Sequence, residues 1–440
     1  MDALVQHKSI KHLISALGSS ADLHLVGGCI RDSLVGLTPK DLDLATRFTP
    51  EEVEESLKKA NIHYIITGIR RGTITAIIED QPFEITTFRN PANEKEFVDK
   101  IEIDLAARDF TINAIALSLN TGQLIDPYGG ISDLKNNILT CVGSPARRFV
   151  EDPHRLIRMV RFGPGQARSI HPDTKETAMK LASLTQSVAL ERVHDELIKI
   201  VCSDFPREAL HLMQQLGLLK IFLPELEATV GVSQNHFHRY DVFEHILHAV
   251  ENTPKSKIPR LAAMLHDIGK PSVKSIDEKG IAHFYQHEEP SADLAKEALT
   301  RLKFSNEDIE KVWLLVRNHG FSTSGSRPSI RRLLNRLGKD LVEDLLHLKK
   351  ADMLAGHTHT YVEEILKFES KVKEEISSEK FLVKLDLTGN DVMDYFNVPE
   401  GMLVGKFLKF AKKAVLEDPD LNKKDILLEL LKNNIDSILD

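Results

Sequence analysis

The 440-residue chain is poor in cysteine, has no long apolar run and carries no excess of basic charge. Cys29, Cys141 and Cys202 lie far apart without metal or disulfide spacing, so they read as packed thiols rather than as a thiolate centre or a disulfide framework. No apolar stretch reaches the length that crosses a bilayer. The opening Met1-Asp2-Ala3-Leu4 lacks a charged-then-apolar signal segment, so the expectation is a cytoplasmic chain with no membrane partner. Lysine and arginine number 57 against 65 aspartate and glutamate, a net charge of −8. That balance argues against a uniformly basic nucleic-acid binder but leaves room for a local basic stripe. Internal repeats and low-complexity tracts are missing too. What remains is a globular composition, 42% hydrophobic and 28% charged, long enough for about three domains.

Two basic stripes do occur. Arg147-Arg148 with Arg155, Arg158 and Arg161 form one, and Arg327, Arg331, Arg332 and Arg336 the other. For the second, a solvated helix face is as good a reading as an RNA contact. Along residues 1–145, β-rich segments (Leu23–Val26, Ile62–Thr67, Ile74–Ile78, Phe83–Phe88) alternate with helical ones (Ser9–Leu17, Glu51–Ala60). This pattern predicts an α+β head, a small mixed sheet with helices, ending at the turn cluster Asp126-Pro127-Tyr128-Gly129-Gly130. From about residue 150 the periodicity becomes helical with few strands, and Asp277-Glu278-Lys279-Gly280 looks like an exposed turn.

Within the head, Asp41 and Asp43 are two apart, so on an extended strand both carboxylates point to one face. Mg²⁺ takes one or two carboxylates plus substrate phosphates, and a pair of such ions serves an in-line phosphoryl displacement. Glu84, in Phe83-Glu84-Ile85-Thr86-Thr87-Phe88-Arg89, is the candidate third carboxylate. Gly27 and Gly28 let backbone amides approach a triphosphate, with Arg31 adding charge. An isolated Asp-x-Asp is a weak signal. The preceding Gly27-Gly28-Cys29-Ile30-Arg31-Asp32 makes this one strong.

These pieces resemble the tRNA nucleotidyltransferase and poly(A) polymerase family of the polymerase-β superfamily, in its bacterial class II branch. A second motif of that family resembles Ala107-Arg108-Asp109-Phe110-Thr111-Ile112-Asn113-Ala114, matching at Arg108, Asp109 and Asn113; Ala107 replaces the first of the usual two arginines. A hinge motif resembles Asp126–Gly130 with Asp133-Leu134. The nucleotide-choosing motif resembles Glu151-Asp152-Pro153-His154-Arg155, continuing to Arg158 and Arg161-Phe162. Asp152 and Arg155 lie three apart, hence neighbours at a helix start. A carboxylate accepts from the exocyclic amine that cytosine and adenine share, and a guanidinium donates to ring acceptors; G and U present the opposite pattern. Asp152 as a plain helix cap ahead of Pro153 is compatible with that role. Glu191-Arg192 with Glu196-Leu197 resembles the last motif, which braces the neck.

In the second half, His245, His266-Asp267 and Asp352 follow the His…His-Asp…Asp order of the HD phosphohydrolase superfamily. Such ligands suit a divalent metal of undetermined identity with an open position for activated water. His287 and His319 could extend the site to a second metal or bind phosphate. His357 and His359 read as a surface turn in preference to ligands. Thr388–Met393 and Val398–Gly401 with Val404-Gly405 resemble the segment after this domain in bacterial CCA-adding enzymes. The resemblance thus implies a nucleotidyltransferase head (1–145), a helical nucleotide-selecting and RNA-binding neck (146–230), an HD-type body (231–360) and a helical tail (361–440). The implied partners are tRNA, CTP and ATP, with Mg²⁺ at the head site.

CCA-adding members carry a flexible loop, with an acidic residue followed by Arg and Pro, between the strand ending at Arg89 and the Arg108 motif. Here Asn90-Pro91-Ala92-Asn93-Glu94-Lys95-Glu96-Phe97-Val98-Asp99 is short and has no arginine. Such shortened loops resemble those of CC-adding enzymes, which leave the terminal A to a separate A-adding enzyme. CC addition is therefore the expectation. A poly(A) polymerase of the same fold, or an RNA-binding nucleotide phosphohydrolase, stand as alternatives.

Overall fold

The computed structural model describes residues 4, 6–39, 41–68, 72–90, 93–235, 239–356 and 362–439. Pro91, Ala92, His357 and His359 fall outside them. The chain divides into two compact units, Met1–Ile221 and Phe222–Asp440.

The first unit is built on a seven-stranded mixed sheet. Its strands are β1 (His24–Val26), β2 (Leu44–Thr46), β3 (His63–Gly68), β4 (Thr73–Ile78), β5 (Gln81–Thr87), β8 (Ala116–Ser118) and β9 (Leu124–Ile125), in the order β3-β4-β5-β2-β1-β8-β9. β2 runs parallel to β5 and antiparallel to β1. β5 shows the period-2 alternation that fixes a face: Phe83, Ile85 and Thr87 are buried while Glu84 is exposed. β6 (Arg89–Asn90) and β7 (Asn93–Phe97) pair as a separate short hairpin.

Helix Pro50–Lys59 follows from its ends. Thr49 and Glu52 close a capping box, Pro50 stands at the first position, Glu51 and Glu52 occupy the first turn and Lys58 and Lys59 the last. It buries Val53 and Leu57 toward β3 and β4. Behind the central strands Val26, Ala45, Phe88, Ile101, Leu105, Ala114, Ala116 and Val142 form a dry cluster. After residue 144 the unit is helical apart from the two-residue strand Ser169–Ile170, which pairs with Ile138–Leu139. Helices Pro145–Glu151, Pro172–Leu181 and Pro206–Gln215 each begin on the proline that could not continue one.

Among its described residues the second unit is helical except for the hairpin Ser275–Ile276 with Ala282–His283, whose turn is the predicted Asp277–Gly280. Asp241 and Ser305 cap the helices Val242–Asn252 and Asn306–Asn318. Residues 387–438 enclose a core of their own: Leu387, Val392, Val404, Phe407, Ala411, Val415, Leu427, Leu428, Leu431 and Ile438, with Phe396 stacked on Phe407 at 4.6 Å. Each arginine of the second stripe has a partner, while Arg327, Arg332 and Arg336 remain exposed. Arg327 pairs with Glu374 and Glu375, Arg331 donates to the Glu417 carbonyl, Arg332 pairs with Glu417, and Arg336 donates to Asn318. All three cysteines are free, Cys29 and Cys141 buried and Cys202 half-buried.

Candidate active and metal sites

Asp41 and Asp43 lie not in a strand but in the extended run just before β2; the Asp43 carbonyl still accepts from Val26 N–H at 3.0 Å. The ladder pairs Leu44 with Ile85, so one step back it sets Asp43 beside Glu84. Among the described residues, no hydrogen bond or ion pair engages the side chains of Asp41, Asp43 or Glu84. Burial, then the charges of Glu84 and Asp41, push the Asp43 carboxyl up, with Arg108 opposing. Three neighbouring carboxylates whose side chains are bonded to no described partner fit a divalent cation held by oxygen ligands.

Cations ring this edge. Arg108 is clamped by buried Asp104 (2.9 and 3.2 Å), which also accepts Arg89 N–H. Its Nη1 lies over Gly27, which has φ +72°; a side chain there would be strained and would meet the guanidinium. Burial would lower the Arg108 guanidinium, but Asp104, Asp109 and Asp43 together raise it. Arg31 donates to Asn113 at 2.8 Å and Asn113 to Asp109 at 3.0 Å. Asp109 also accepts Phe110 N–H and Arg158 Nε at 2.7 Å. Despite its burial, Arg158 and Asn113 hold the Asp109 carboxyl below the usual range. Asp109 is therefore a tie between Arg31, through Asn113, and Arg158. Phe162 carries three guanidiniums on its ring: Arg161 at 3.8 Å, Arg31 at 4.9 Å and Arg158 at 5.1 Å. Arg161 is paired with buried Glu196.

Asp152 ends helix Pro145–Glu151, and helix His154–Phe162 begins two residues later. Asp152 and Arg155 are not paired to each other. Arg192 grips Asp152 with two bonds (2.8 and 3.1 Å), and His154 N–H adds a capping bond of 3.2 Å. Arg155 donates to the carbonyls of Ala107 and Arg148 and to Glu151. A carboxylate has about four acceptor positions and a guanidinium five N–H groups. With three bonds made by each, Asp152 retains an acceptor and Arg155 two donors. The hinge is tied to the Ala107–Ala114 motif: Asp126 accepts Gly130 and Ile131 N–H, and Thr111 donates to Asp133 at 2.5 Å.

The second unit gathers its ligands from five helices. His245 lies on Val242–Asn252, His266-Asp267 end Lys257–Leu265, His287 and His319 flank Glu288–Arg301 and Asn306–Asn318, and Asp352 lies on Lys339–Ala355. Asp267 is the hub. Its Oδ2 is 3.2 Å from His266 Nε2 and 3.5 Å from His245 Nε2; its Oδ1 is 3.1 Å from His287 Nε2 and 3.7 Å from His319 Nε2. Asp352 Oδ1 reaches His245 Nε2 at 3.0 Å. Lys270 Nζ stands 2.6 Å from Asp267 Oδ2.

Three histidines share one orienting device. Nδ1 of His266, His287 and His319 bonds the carbonyl three residues back, at Ala263, Phe284 and Val316. That bond leaves each Nε2 as the inward ligand atom. His245–His266–Asp267 and Asp267–His287–His319 each bring their ligand atoms within 4.8 Å of one another. His266 Nε2 and Asp267 Oδ2 are buried without a hydrogen bond of ordinary geometry. These residues fit one or two divalent ions. Burial disfavours a charged His266, yet Asp267 and Asp352 hold its imidazole protonated, up to about 10. A cation entering would displace that proton. Burial and the nearby His266 push His319 down to about 3.

Asp104, Lys270 and the role of Arg192 as clamp escaped the sequence reading. Asp104 had a signal in its i,i+4 spacing from Arg108, and Lys270 in its i,i+3 spacing from Asp267. Arg192 reaches Asp152 over 40 residues, which no spacing betrays.

The mixed sheet and its paired carboxylates define a nucleotidyltransferase of the poly(A) polymerase type. Residues 23–140 match the "Poly A polymerase head domain", 169–229 the "Probable RNA and SrmB- binding site of polymerase A", and 237–385 the "HD domain". The chain is 30% identical over 409 residues to the CC-adding tRNA nucleotidyltransferase of Thermus thermophilus, covering 90% of each. It is also 30% identical over 415 residues to the A-adding tRNA nucleotidyltransferase of Deinococcus radiodurans, covering 89% of this chain and 90% of that one. In fold it is similar to the Bacillus stearothermophilus CCA-adding enzyme, crystallised with CTP, with a TM-score of 0.73 at 24% identity over 97% and 96% of the two chains. The chain belongs to the tRNA nucleotidyltransferase family, in the branch that carries an HD domain. No helix among the described residues is long and apolar enough to cross a membrane.

Proposed function

We propose that this protein extends the 3′ end of tRNA with cytidine residues without a nucleic-acid template, and stops before the terminal adenosine. The observation that carries the transfer reaction is the convergence of Asp41, Asp43 and Glu84 beside Arg108. In each cycle the RNA 3′-oxygen bonds to the α-phosphorus of CTP, its proton passes to solvent, and the α–β bridging bond breaks to release pyrophosphate. Mg²⁺ bound by these carboxylates would activate the hydroxyl and neutralise the leaving group. Arg31 and Arg108 stand ready for the phosphates. Asp109 sets their surroundings by fixing Asn113 and Arg158. The acceptor left on Asp152 takes the exocyclic amine, and the two free N–H groups of Arg155 take the ring acceptors of the base. Because both side chains are already held, little ordering remains to be done when the nucleotide arrives.

The CC reading rests on the β6–β7 hairpin. Val98 N–H bonds the Phe88 carbonyl, Asn90 bonds Glu96, and Phe97 packs into the space that Gly72 leaves by lacking a side chain. A connection this short and self-bonded offers no long loop to re-form the base pocket for ATP. The test uses tRNA transcripts ending at the discriminator base, at CC and at CCA, each with CTP, ATP or both, resolved to single nucleotides. Two additions and a halt support CC addition and a separate A-adding partner. Completion to CCA overturns it, and ATP-only extension of arbitrary RNA would favour the poly(A) polymerase alternative.

The second site reads as a metal-dependent phosphohydrolase. The ligand atoms of His245, His266, Asp267, His287 and His319, gathered in two groups that share Asp267, support it. A bound cation would supply the activated water. His266→Ala with Asp267→Ala should remove phosphatase activity and spare nucleotide addition.

A further inference from the structure

His154 stands inside the nucleotide-choosing motif, yet base reading by Asp152 and Arg155 leaves it without a task. It opens helix His154–Phe162 and is buried. Both of its ring nitrogens meet one residue, Arg192 of helix Leu190–Val201. Nδ1 lies 2.9 Å from Arg192 Nη2, and Nε2 lies 3.3 Å from the Arg192 carbonyl oxygen. A guanidinium only donates and a carbonyl only accepts. The ring is therefore neutral, with Nδ1 bare and the proton on Nε2.

The same Nη2 donates its other hydrogen to Asp152 Oδ2 at 2.8 Å. Asp152 Oδ1 takes Arg192 Nη1 at 3.1 Å and the His154 N–H at 3.2 Å. Asp152, Arg192 and His154 thus close a ring of bonds. The acceptor position still open on the carboxylate lies on Oδ2, beside the shared Nη2. The Arg192 side chain is 44% exposed, so water competes for its head group. The buried imidazole keeps that head group turned inward.

We propose that His154 is a positioning residue for base selection: its bare Nδ1 holds Arg192 against Asp152 and so aims the open Oδ2 position at the exocyclic amine of the incoming nucleotide. This rests on the base-reading role given to Asp152 above. A proton on Nδ1 would set two donors face to face and drive Arg192 away. Burial and then Arg192 hold the imidazole below its ordinary range; Arg158 adds to them, and Glu196 and Asp152 oppose. The clamp is therefore complete at neutral pH and is lost as acid protonates the ring.

The test compares kcat/KM for CTP and UTP on full-length protein with tRNA ending at the discriminator base, from about pH 7.5 down to about pH 5. Taking the ratio cancels the ionisation that the two triphosphates share. The CTP-over-UTP preference of the unmodified protein should fall with acid. His154→Leu should lower it roughly 10-fold at neutral pH, chiefly through KM for CTP, and remove the pH dependence. His154→Asn, whose Oδ1 accepts at every pH, should keep the preference and hold it in acid. His154→Leu combined with Arg192→Ala should lose no more than Arg192→Ala alone, because His154 acts through Arg192. Nitrogen NMR of the histidine rings in the unmodified protein should show the Nε2–H tautomer, giving way to imidazolium where the preference declines. Asp152→Ala separates the two ideas. If the preference survives it, the base-reading role fails and this inference falls with it. If Asp152→Ala lowers the preference while His154→Leu and acid do not, or if the double-variant losses add, the role of His154 alone is overturned.

Discussion

The two candidate sites are built on opposite plans. In the first unit the acidic ligands are open, Asp41 and Glu84 exposed and Asp43 half-buried, while the arginines around them are locked by carboxylates and by one another's neighbours. In the second unit the ligands themselves are locked: Asp267 and His266 are buried, and three imidazoles are aimed by backbone carbonyls. The first plan suits ions that arrive with a triphosphate and leave with pyrophosphate. The second suits a resident ion held by a prepared cage.

The contrast can be broken most severely at Asp43. Asp43→Ala should lower CMP incorporation by about 10³-fold or more and leave the second site's metal content unchanged, measured by single-turnover assays and elemental analysis. Next comes the hub. Asp267→Ala should abolish both ion positions, whereas His287→Ala should weaken only the second, by about 10- to 100-fold in affinity; titration of the purified protein with Mn²⁺ separates them. Equal losses in both variants would show that the two clusters are not distinct. Arg192→Ala should free Asp152 to move and cost roughly 10-fold in CTP-over-UTP preference, more through KM than through kcat, read from competition assays. An unchanged preference would make Arg192 a purely structural brace.

The smallest effect lies outside both sites. Asp391, bonded by Lys424 and by the Thr388 hydroxyl and amide, has its carboxyl lowered to about 2. Its pairing therefore stabilises fully above the unfolded carboxylate value of about 3.9 and loses that contribution as pH falls through 2. Asp391→Asn should lower Tm by about 1–2 °C near neutrality, and the difference should shrink toward pH 2 in a thermal scan.

Much of the fold was legible because local chemistry and tertiary use agree. The capping box at Thr49, the alternation around Glu84 and the helix-opening prolines act where they stand in the chain. The candidate ligands His245, His266, Asp267 and Asp352 were legible as an ordered series of residue types. What escaped was pairing across distance. Nothing near Arg327–Arg336 announces Glu374, Glu375 and Glu417 as partners, although those pairings hold a stripe of which Arg327, Arg332 and Arg336 stay exposed. Asp109 was legible as a match to a family motif, but its bonds to Asn113 and Arg158 were not. Asp152 and Arg155, neighbours by spacing, are each committed elsewhere because packing brought Arg192, Ala107 and Arg148 closer than either is to the other's head group.

Residues 387–438 have an apolar interior of their own, and Arg331 and Arg332 reach the end of its longest helix at Glu417. A segment with a private core and a few polar moorings is the kind that opens as one cooperative block while the rest stays folded. Amide hydrogens of Val404, Phe407 and Ala411 should then exchange at one shared rate, faster than those of Leu261–Leu265, and loss of the Glu417 moorings should quicken that block alone.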